Sequence, residues 1–333
     1  MESTNKSNRN SYLPKTNAIT EGIEEAWTGN NEQWWNWYVS LADNSNEPVN
    51  RTQLIHRPKP RVDEVPSFEQ FQEELNETYP ISDRQIEQFQ TDSYIRLKNI
   101  FSPGAIYLLR QELQQLFNRT HKADSNRQFS NMEMMWLESD LVKAFVFSKR
   151  LGQLAADLLK VSSVRIYHDD FLCKEPGCGR TPWHYDGHHY PIASNNVVTL
   201  WMPLQPTPKE MGPLEFAKGI ETYKLLKEIP FDKFSQHSDG AIAKSLQTHG
   251  IVIDREPFQL GEISFQHCLN VHGASANYTT EQRLAFGLSY FENGARVINS
   301  PTLVSGDWQK LMPGIHPSEV ISSCHNPVVY EKD

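Results

Sequence analysis

The sequence predicts an α+β protein, mostly β with flanking helices, in which helices occupy the first half of the chain and short strands the second. In the first half, Ile106, Leu109, Leu113 and Leu116 form an apolar stripe at helical spacing. After Gly179 the pattern changes to short alternating runs separated by loops. Such runs are typical of one half of an all-β barrel or sandwich.

The helical half begins near residue 67. The segments FEQFQEELNETY and ISDRQIEQFQ predict short helices, and SYIRLKNIF predicts a strand. In SPGAIYLLRQELQQLFNR, Ser102 suits the N-cap and Pro103 suits the first helical position. A further helix is predicted for SKRLGQLAADLLK, followed by a strand in VRIYHDDFLCK.

In the second half of the chain, the clearest predicted strand is NNVVTLWMPLQP, in which alternate residues would point to opposite faces of a sheet. Two more strands are predicted for GEISFQHCLNVHG and RLAFGLSYFEN, joined by the turn-like ASANYTTEQ. Between about 218 and 256 lies a polar insertion that is too helical and too charged to form barrel wall. Long insertions of this kind often serve as lids or binding loops.

Two regions are predicted along the chain. Residues 1–66 comprise a polar tail, an aromatic helical segment and a proline-rich linker, and residues 67–333 form a single domain that carries the 218–256 insertion. The aromatic segment predicts one or two short helices docked on the domain; a partner or membrane-surface helix is the alternative, although its acidic residues disfavour anionic lipid. Its aromatic residues are Trp27, Trp34, Trp35, Trp37 and Tyr38.

Composition excludes several classes of protein. The net charge of −9 and the pI near 5.8 argue against duplex nucleic acid as a partner, because phosphate neutralisation needs an excess of lysine and arginine. No run approaches the roughly 18 apolar residues of a membrane span, and the polar N-terminus lacks the apolar core of a secretory signal. Four scattered cysteines indicate reduced thiols and a cytoplasmic location. Cys173 and Cys178 have no second cysteine pair that would complete a zinc site.

The pattern His-x-Asp occurs three times, at 168–170, 184–186 and 237–239. In a strand, residues i and i+2 share a face and can converge on one metal ion. A second histidine would complete a two-histidine, one-carboxylate face, which suits iron(II) oxygenase chemistry. The pair at 237–239 is predicted to lie in a solvated loop of the insertion, and His168 and Asp170 to line a pocket or make hydrogen bonds.

The context of His184 and Asp186 lies downstream. His272 ends one predicted strand and Arg283 opens the next, so a hairpin would place them on neighbouring strands of one sheet. Alternation puts Arg283 on a face of small residues, with room for a ligand, and leaves an apolar opposite face for the core. An arginine in that setting suits a two-pronged salt bridge with a carboxylate; a surface salt bridge is the alternative.

The chain resembles the phytanoyl-CoA dioxygenase family of iron(II)/2-oxoglutarate oxygenases. The resemblance is carried by W-H-x-D at 183–186, T-L-W-M-P-L at 199–204, E-M-G-P-L at 210–214, G-E-I-S-F-x-H at 261–267 and H-G-A-x-x-N at 272–277, followed by Arg283. It spans about residues 83–292, since QIEQFQTDSYIRLKNIFSPGAIYLLRQEL is similar to the start of the family's domain.

The resemblance implies a double-stranded β-helix (jelly-roll, cupin-like) core, iron bound by His184, Asp186 and His272, and Arg283 bound to the distal carboxylate of 2-oxoglutarate. The chain departs from the family's frequent P-G-S-H with A-K-G-I at 217–220, which affects the path of the insertion. Related halogenases replace the carboxylate ligand with Gly or Ala, so Asp186 disfavours halogenation.

Further residues are predicted around this centre. Thr199 and Trp201 share a strand face and are expected to line the 2-oxoglutarate pocket together with Lys174. The substrate pocket is expected to include His188, Tyr190 and His168. His188 is preferred to His189 because it continues the face of His184 if the strand stays extended. His267 falls on an apolar series and is expected to be a core histidine.

The predicted reaction is hydroxylation of an unactivated C–H bond of a small-molecule metabolite, with O2 as oxidant, 2-oxoglutarate converted to succinate and CO2, and ascorbate as the reductant in vitro. The same iron-centred oxidant also serves desaturation, cyclisation or epoxidation. An alternative of another class is a non-oxidative metal-binding jelly-roll module or isomerase, which Asp186 and Arg283 together disfavour. An acyl-CoA is an alternative substrate, although no basic patch for its phosphates is evident in the sequence.

Overall fold

The computed structural model describes residues 51–57, 62, 64–120, 128–227, 229, 237–301 and 305–332. The predicted aromatic segment lies outside the described residues, as do residues 58–61 and 63 of the predicted linker. Just before the linker, Ile55 forms a bridge to Thr279, which places residues 51–57 against the surface of the main domain. The predicted boundary at residues 66 and 67 remains a prediction.

Seven α-helices are present in the described part of the chain. They are α1 (Phe68–Asn76), α2 (Asp83–Asp92), α3 (Pro103–Thr120), α4 (Asp140–Val146), α5 (Lys149–Leu159), α6 (His237–Thr248) and α7 (Trp308–Leu311). The first two begin with capping boxes, in which the side chains of Ser67 and Ser82 accept from the backbone of the third helical residue. The four helices predicted between residues 67 and 160 are confirmed, whereas α4 and α7 were not predicted from the sequence.

Among the described residues, eleven strands form two sheets. They are β1 (Tyr94–Leu97), β2 (Phe129–Glu133), β3 (Ser163–Lys174), β4 (Thr181–His184), β5 (Val197–Pro203), β6 (Leu214–Ala217), β7 (Ile253–Asp254), β8 (Ile263–His267), β9 (His272–Ala274), β10 (Arg283–Glu292) and β11 (Val328–Glu331). The larger sheet has the order β1-β8-β5-β10-β3-β11, with β2 also paired to β3; the smaller has the order β4-β9-β6-β7. All the pairs in both sheets are antiparallel.

The predicted alternation along β10 holds. Phe286 points away from the smaller sheet toward the helices, where its ring packs edge-on against Phe145 of α4 with centroids 5.5 Å apart. Helix α5 covers the same side, against β3, β10 and β11. The other face of the larger sheet, which carries Gly287 and Ser289, lines a cavity. Burial of the apolar face against helices therefore leaves the small-residue face for a ligand.

The predicted hairpin between His272 and Arg283 is wrong. GEISFQHCLNVHG breaks into β8 in the larger sheet and β9 in the smaller sheet, and β10 returns to the larger sheet. Asn277 stabilises the crossing, because its side-chain amide donates to the carbonyls of Lys174, Glu175 and Glu281. The strands alternate between sheets here, so the two functional positions lie on different walls.

The 218–256 insertion contains a 3-10 turn (Thr222–Leu226), helix α6 and the short strand β7. The predicted helical character is confirmed, and β7 extends the smaller sheet. No helix in the described part of the chain has both the length and the apolar character of a membrane span. All four cysteines are free thiols, and three of them are buried.

Candidate active site

Two histidines face each other on neighbouring strands of the smaller sheet. His184 is the last residue of β4 and His272 the first of β9, and they are paired across the antiparallel ladder. Their ring centroids are 4.3 Å apart. The chain leaves β4 in a 3-10 turn, Asp186–His188, which brings Asp186 Oδ1 to 3.6 Å from His184 Nε2 and 3.7 Å from His272 Nε2.

The three side chains offer donor atoms that all lie within 4.8 Å of one another, and among the described residues they form a group that could hold a metal ion. Bonds of about 2.1 Å at right angles place neighbouring donor atoms roughly 3 Å apart, so small side-chain shifts bring this group onto one ion. Two imidazoles and one carboxylate on one face are the ligand set of non-haem iron(II) oxygenases.

Hydrogen bonds prepare both imidazoles for a metal. His184 Nδ1 lies 2.8 Å from the Pro182 carbonyl oxygen and His272 Nδ1 lies 3.1 Å from that of Asn270, so each Nδ1–H donates and each Nε2 keeps its lone pair. Burial, with the neighbouring His272, lowers the pKa of His184 to about 4. Burial raises the pKa of Asp186, but the two histidines outweigh it and hold that pKa below its usual value. A neutral imidazole beside a carboxylate is the state that binds a cation.

Three hydroxyl groups fix the second oxygen of Asp186. Thr199 Oγ1 donates to Asp186 Oδ2 at 3.3 Å. It also lies 2.9 Å from the Tyr190 hydroxyl and 3.1 Å from Ser289 Oγ, and the Tyr190 hydroxyl lies 3.0 Å from Ser289 Oγ. Thr199 and Ser289 are direct partners on β5 and β10. The larger sheet therefore orients a carboxylate that belongs to the wall opposite.

A cavity of about 200 Å³ lies between the two sheets and contains this group. On its larger-sheet side Arg283 is 2% exposed, and its guanidinium carbon lies 5.6 Å from the centroid of the Trp201 ring. Eight of the predicted site residues line the cavity: His168, His184, Asp186, Tyr190, Thr199, Trp201, His272 and Arg283.

A family model for phytanoyl-CoA dioxygenase (PhyH) matches residues 89–285, which is more than half of the chain. The chain belongs to the phytanoyl-CoA dioxygenase family. This membership, together with the His-Asp-His group, indicates an enzyme with iron(II)- and 2-oxoglutarate-dependent oxygenase-type chemistry, as the sequence predicted. No curated protein matches the sequence.

Solved structures show the same fold. The carbocyclase SnoK of nogalamycin biosynthesis, described as non-haem and α-ketoglutarate-dependent, is 19% identical with a TM-score of 0.62, covering 74% of this chain and 96% of that one. The corresponding epimerase SnoN is 20% identical with a TM-score of 0.59, covering 74% and 98%. EctD from S. alaskensis, solved with 2-oxoglutarate and 5-hydroxyectoine, is 18% identical with a TM-score of 0.59, covering 85% and 93%. The predicted jelly-roll fold is confirmed.

Lys174 of this family member is turned away from the cavity. Its Nζ donates to the carbonyl oxygens of Gly179 at 2.9 Å and Ser275 at 3.0 Å, and the side chain is fully buried. Burial, with the neighbouring Arg283, lowers its pKa to about 7. Lys174 follows the alternation of β3, but its amino group joins two loops rather than lining the cavity, where the sequence prediction expected it.

The prediction of His188 over His189 is reversed. Because the 3-10 turn ends the extended backbone after Tyr185, His188 points inward, is 6% exposed and packs against the Tyr185 ring with centroids 4.9 Å apart. Burial lowers the pKa of His188 to about 3. His189 lines the cavity instead, and its ring centroid lies 6.3 Å from that of His184.

The prediction that the third His-x-Asp pair lies in a solvated loop is also wrong. Residues 237–239 begin helix α6, and Asp239 Oδ1 accepts a hydrogen bond from the backbone N–H of Trp183 at 2.8 Å. Asp239 Oδ2 lies 3.1 Å from Arg180 Nε. The insertion therefore holds β4 immediately before His184.

His267 is not part of the His-Asp-His group. Its Nδ1 accepts from the backbone N–H of Leu269 at 3.1 Å, and its ring lies 6.1 Å from that of Phe89. Burial lowers its pKa to about 4. It is a partly buried histidine that packs beside the core, in keeping with the prediction that it is not a metal ligand.

Two residues that line the cavity, Glu133 and Gln266, were not predicted from the sequence. Glu133 comes from β2, a strand that was not predicted, and Gln266 from β8, where the apolar neighbours concealed it. Asp170 was predicted, together with His168, to line a pocket or make hydrogen bonds, and both residues line the cavity. The signal for Asp170 was the alternation of VRIYHDDFLCK, which places it on the face of His168.

Proposed function

We propose that the protein is an iron(II)/2-oxoglutarate-dependent dioxygenase that hydroxylates an unactivated C–H bond of a small-molecule metabolite, with conversion of 2-oxoglutarate to succinate and CO2. One observation carries the proposal: the His-Asp-His group and the buried Arg283 line the same cavity from opposite sheets. A non-oxidative metal protein has no evident use for that arginine.

In this proposal the iron is held by the side chains of His184, Asp186 and His272, which would bind it from one side. When bound, iron(II) and 2-oxoglutarate would activate O2, which supplies the oxidising power for attack on a C–H bond. The protein contributes position and environment. The Nδ1 hydrogen bonds hold each imidazole with Nε2 toward the ion, and Thr199 holds Asp186 in place.

Arg283 binds the distal carboxylate of 2-oxoglutarate. Its guanidinium is buried, and a buried guanidinium forms its strongest contacts with a carboxylate, by two parallel hydrogen bonds. The Trp201 ring beside the guanidinium restricts its orientation. Trp201 Nε1 is buried without a hydrogen-bond partner among the described residues, which leaves a donor for a ligand in the same cavity.

The test is succinate formation from 2-oxoglutarate with iron(II), ascorbate and O2, compared between the wild type and Arg283→Met. We expect wild-type turnover, and a variant that retains its fold but needs far higher 2-oxoglutarate. Absence of both turnover and 2-oxoglutarate binding in the wild type would favour the non-oxidative alternative. Product mass separates the oxidative outcomes, since hydroxylation or epoxidation adds oxygen, whereas desaturation or oxidative ring closure removes two hydrogen atoms.

A further inference from the structure

One side of the cavity carries carboxyl groups that the proposed chemistry does not use. Glu133 and Asp170 are direct partners across the β2–β3 ladder, and Asp307 lines the same cavity. Among the described lining residues Arg283 is the only arginine or lysine. In the proposed complex, iron(II) and Arg283 balance the charges of Asp186 and 2-oxoglutarate. The carboxyls of Glu133 and Asp170 take no part in that balance.

Asp170 is open to a ligand by its position. On β10 its partner is Gly287, which has no side chain, and a Cβ there would meet Asp170 Cβ at 3.6 Å. The Asn131 side chain donates to the Asp170 carboxyl, whereas Asp170 Oδ1 is buried and has no hydrogen-bond partner among the described residues. A buried acceptor without a partner costs stability, which a ligand that donates to it would recover.

The neighbouring groups leave this carboxyl without a cation of its own. Lys310 Nζ lies 3.7 Å from Glu133 Oε2, but it is half exposed, and that contact is screened by water. His168 lies beside Glu133, with Nδ1 3.9 Å from Oε1, and burial lowers the pKa of His168 so that it is neutral. Burial and the charge of Glu133 raise the pKa of Asp170 well above its usual value. A bound cation would reverse that shift.

The carboxyl side is distinct from the position expected for 2-oxoglutarate. Arg283 and Gly287 are four residues apart on β10, so Asp170 is offset from Arg283 by about 13 Å along the strand. The five-carbon chain of 2-oxoglutarate spans roughly 6 Å. His168, next to Asp170 on the same face of β3, is paired with Ser289 and therefore adjoins the hydroxyl groups that hold Asp186.

We propose that the substrate of this enzyme carries an organic cation, an ammonium, amidinium or guanidinium group, that binds between Asp170 and Glu133 and directs the C–H bond toward the metal. This inference rests on the proposed function, because it names the substrate class of the same cavity. Asp170 provides the unpaired hydrogen-bond acceptor, and Glu133 provides a second carboxylate. His168 lies beside them as an uncharged side chain.

The experiment measures equilibrium binding to the iron(II)- and 2-oxoglutarate-loaded protein without O2, by calorimetry and ligand-detected NMR. The probes are matched pairs that differ in charge but hardly in shape: butylguanidinium with butylurea, arginine with citrulline, and butylammonium with butan-1-ol. We expect at least one cation to bind 10-fold or more tightly than its neutral partner. Asp170→Asn should remove that preference, and Glu133→Gln should weaken it.

A control separates this preference from a structural role of Asp170. Without any ligand, Asp170→Asn should melt at the same temperature as the wild type or higher, because it removes an unpaired buried carboxyl. Equal binding of cations and neutral partners overturns the inference, as does failure of every cation to bind or an unchanged preference in Asp170→Asn. The charge-transfer absorption of bound 2-oxoglutarate reports separately on the proposed function. Absence of this absorption would contradict the proposed function, while cation binding to the same protein would still be measurable.

Discussion

His272 lies on the smaller sheet and Arg283, eleven residues later, on the larger sheet, so the two side chains line one cavity from opposite walls. The intervening chain crosses between the sheets and is held by Asn277. The centre therefore depends on the packing of the two sheets against each other.

Removal of a ligand from the His-Asp-His group should abolish iron binding. We expect His184→Ala and Asp186→Ala to weaken iron(II) by more than about 100-fold, beyond the range of changes to residues that only orient ligands. Iron per chain after equilibrium dialysis is the measurement. Asp170→Ala, which removes a carboxyl of the same cavity, should retain its iron. The reverse pattern would place the metal at the 168–170 pair.

Loss of the Thr199 hydroxyl should loosen Asp186 without loss of the fold. Thr199→Val keeps the shape but removes the donor to Asp186 Oδ2. Contacts of this kind affect metal affinity or activity by about 10- to 100-fold, and we expect the lower part of that range because Asp186 keeps its histidine neighbours. Iron affinity and melting temperature are measured together. Ser289→Ala is the control, since it alters the hydroxyl group farther from the carboxylate and should have a smaller effect.

Substitution of Lys174 should lower stability, whereas substitution of Arg283 should lower the affinity for 2-oxoglutarate. Lys174→Met leaves two buried carbonyls without a donor, and we expect a loss of about 1–3 kcal/mol of unfolding free energy with little change in 2-oxoglutarate affinity. Arg283→Met should weaken 2-oxoglutarate by about 1.5–3 kcal/mol, the range for hydrogen bonds to charged groups. Denaturant unfolding and calorimetric titration are the measurements. A large change of 2-oxoglutarate affinity in Lys174→Met would restore the sequence prediction.

The buried Lys174 also predicts a pH dependence of stability. Its pKa is about 7 in the folded chain and lies near the ordinary lysine value when unfolded, so between these values the unfolded chain binds more protons. The unfolding free energy should therefore rise as the pH increases from 7 to 9. Denaturant titrations at both pH values should show a smaller rise in Lys174→Met than in the wild type. Equal pH dependence in both proteins would argue against a shifted Lys174.

Substitution of His188 should lower stability, whereas substitution of His189 should alter activity. His188→Ala removes a buried ring that packs on Tyr185, and we expect a stability loss of about 2 kcal/mol or more, as for other large buried side chains. His189→Ala should leave the melting temperature nearly unchanged but alter succinate formation, because His189 lines the cavity. A stable His188→Ala with altered turnover would support the sequence prediction.

Asp239 should connect the insertion to the metal centre. Asp239→Ala removes the acceptor for the Trp183 N–H and the partner of Arg180, and we expect faster hydrogen exchange at β4 and an iron affinity about 10-fold lower. Asp239→Asn, which keeps an oxygen acceptor, should fall between the wild type and Asp239→Ala. An unchanged iron affinity in Asp239→Ala would mean that the neighbouring strand alone fixes β4.

The sequence by itself determined the features that depend on local periodicity and residue type. The helical spacing around Leu109 predicted the helices, the alternation along β10 predicted the cavity-facing side of Arg283, and the order of the motifs predicted the family. The three residues predicted as metal ligands are those that the structure brings together.

The tertiary structure alone decided the relationships between segments that are distant in the chain. Alternation specifies the face of a strand but not the sheet to which it belongs, so the hairpin prediction for His272 and Arg283 failed. A 3-10 turn ends the extended backbone at Tyr185, so His189 lines the cavity in place of His188. Glu133 and Asp170 became neighbours only through the pairing of β2 with β3, because a ladder between distant segments leaves no periodic signal in either one.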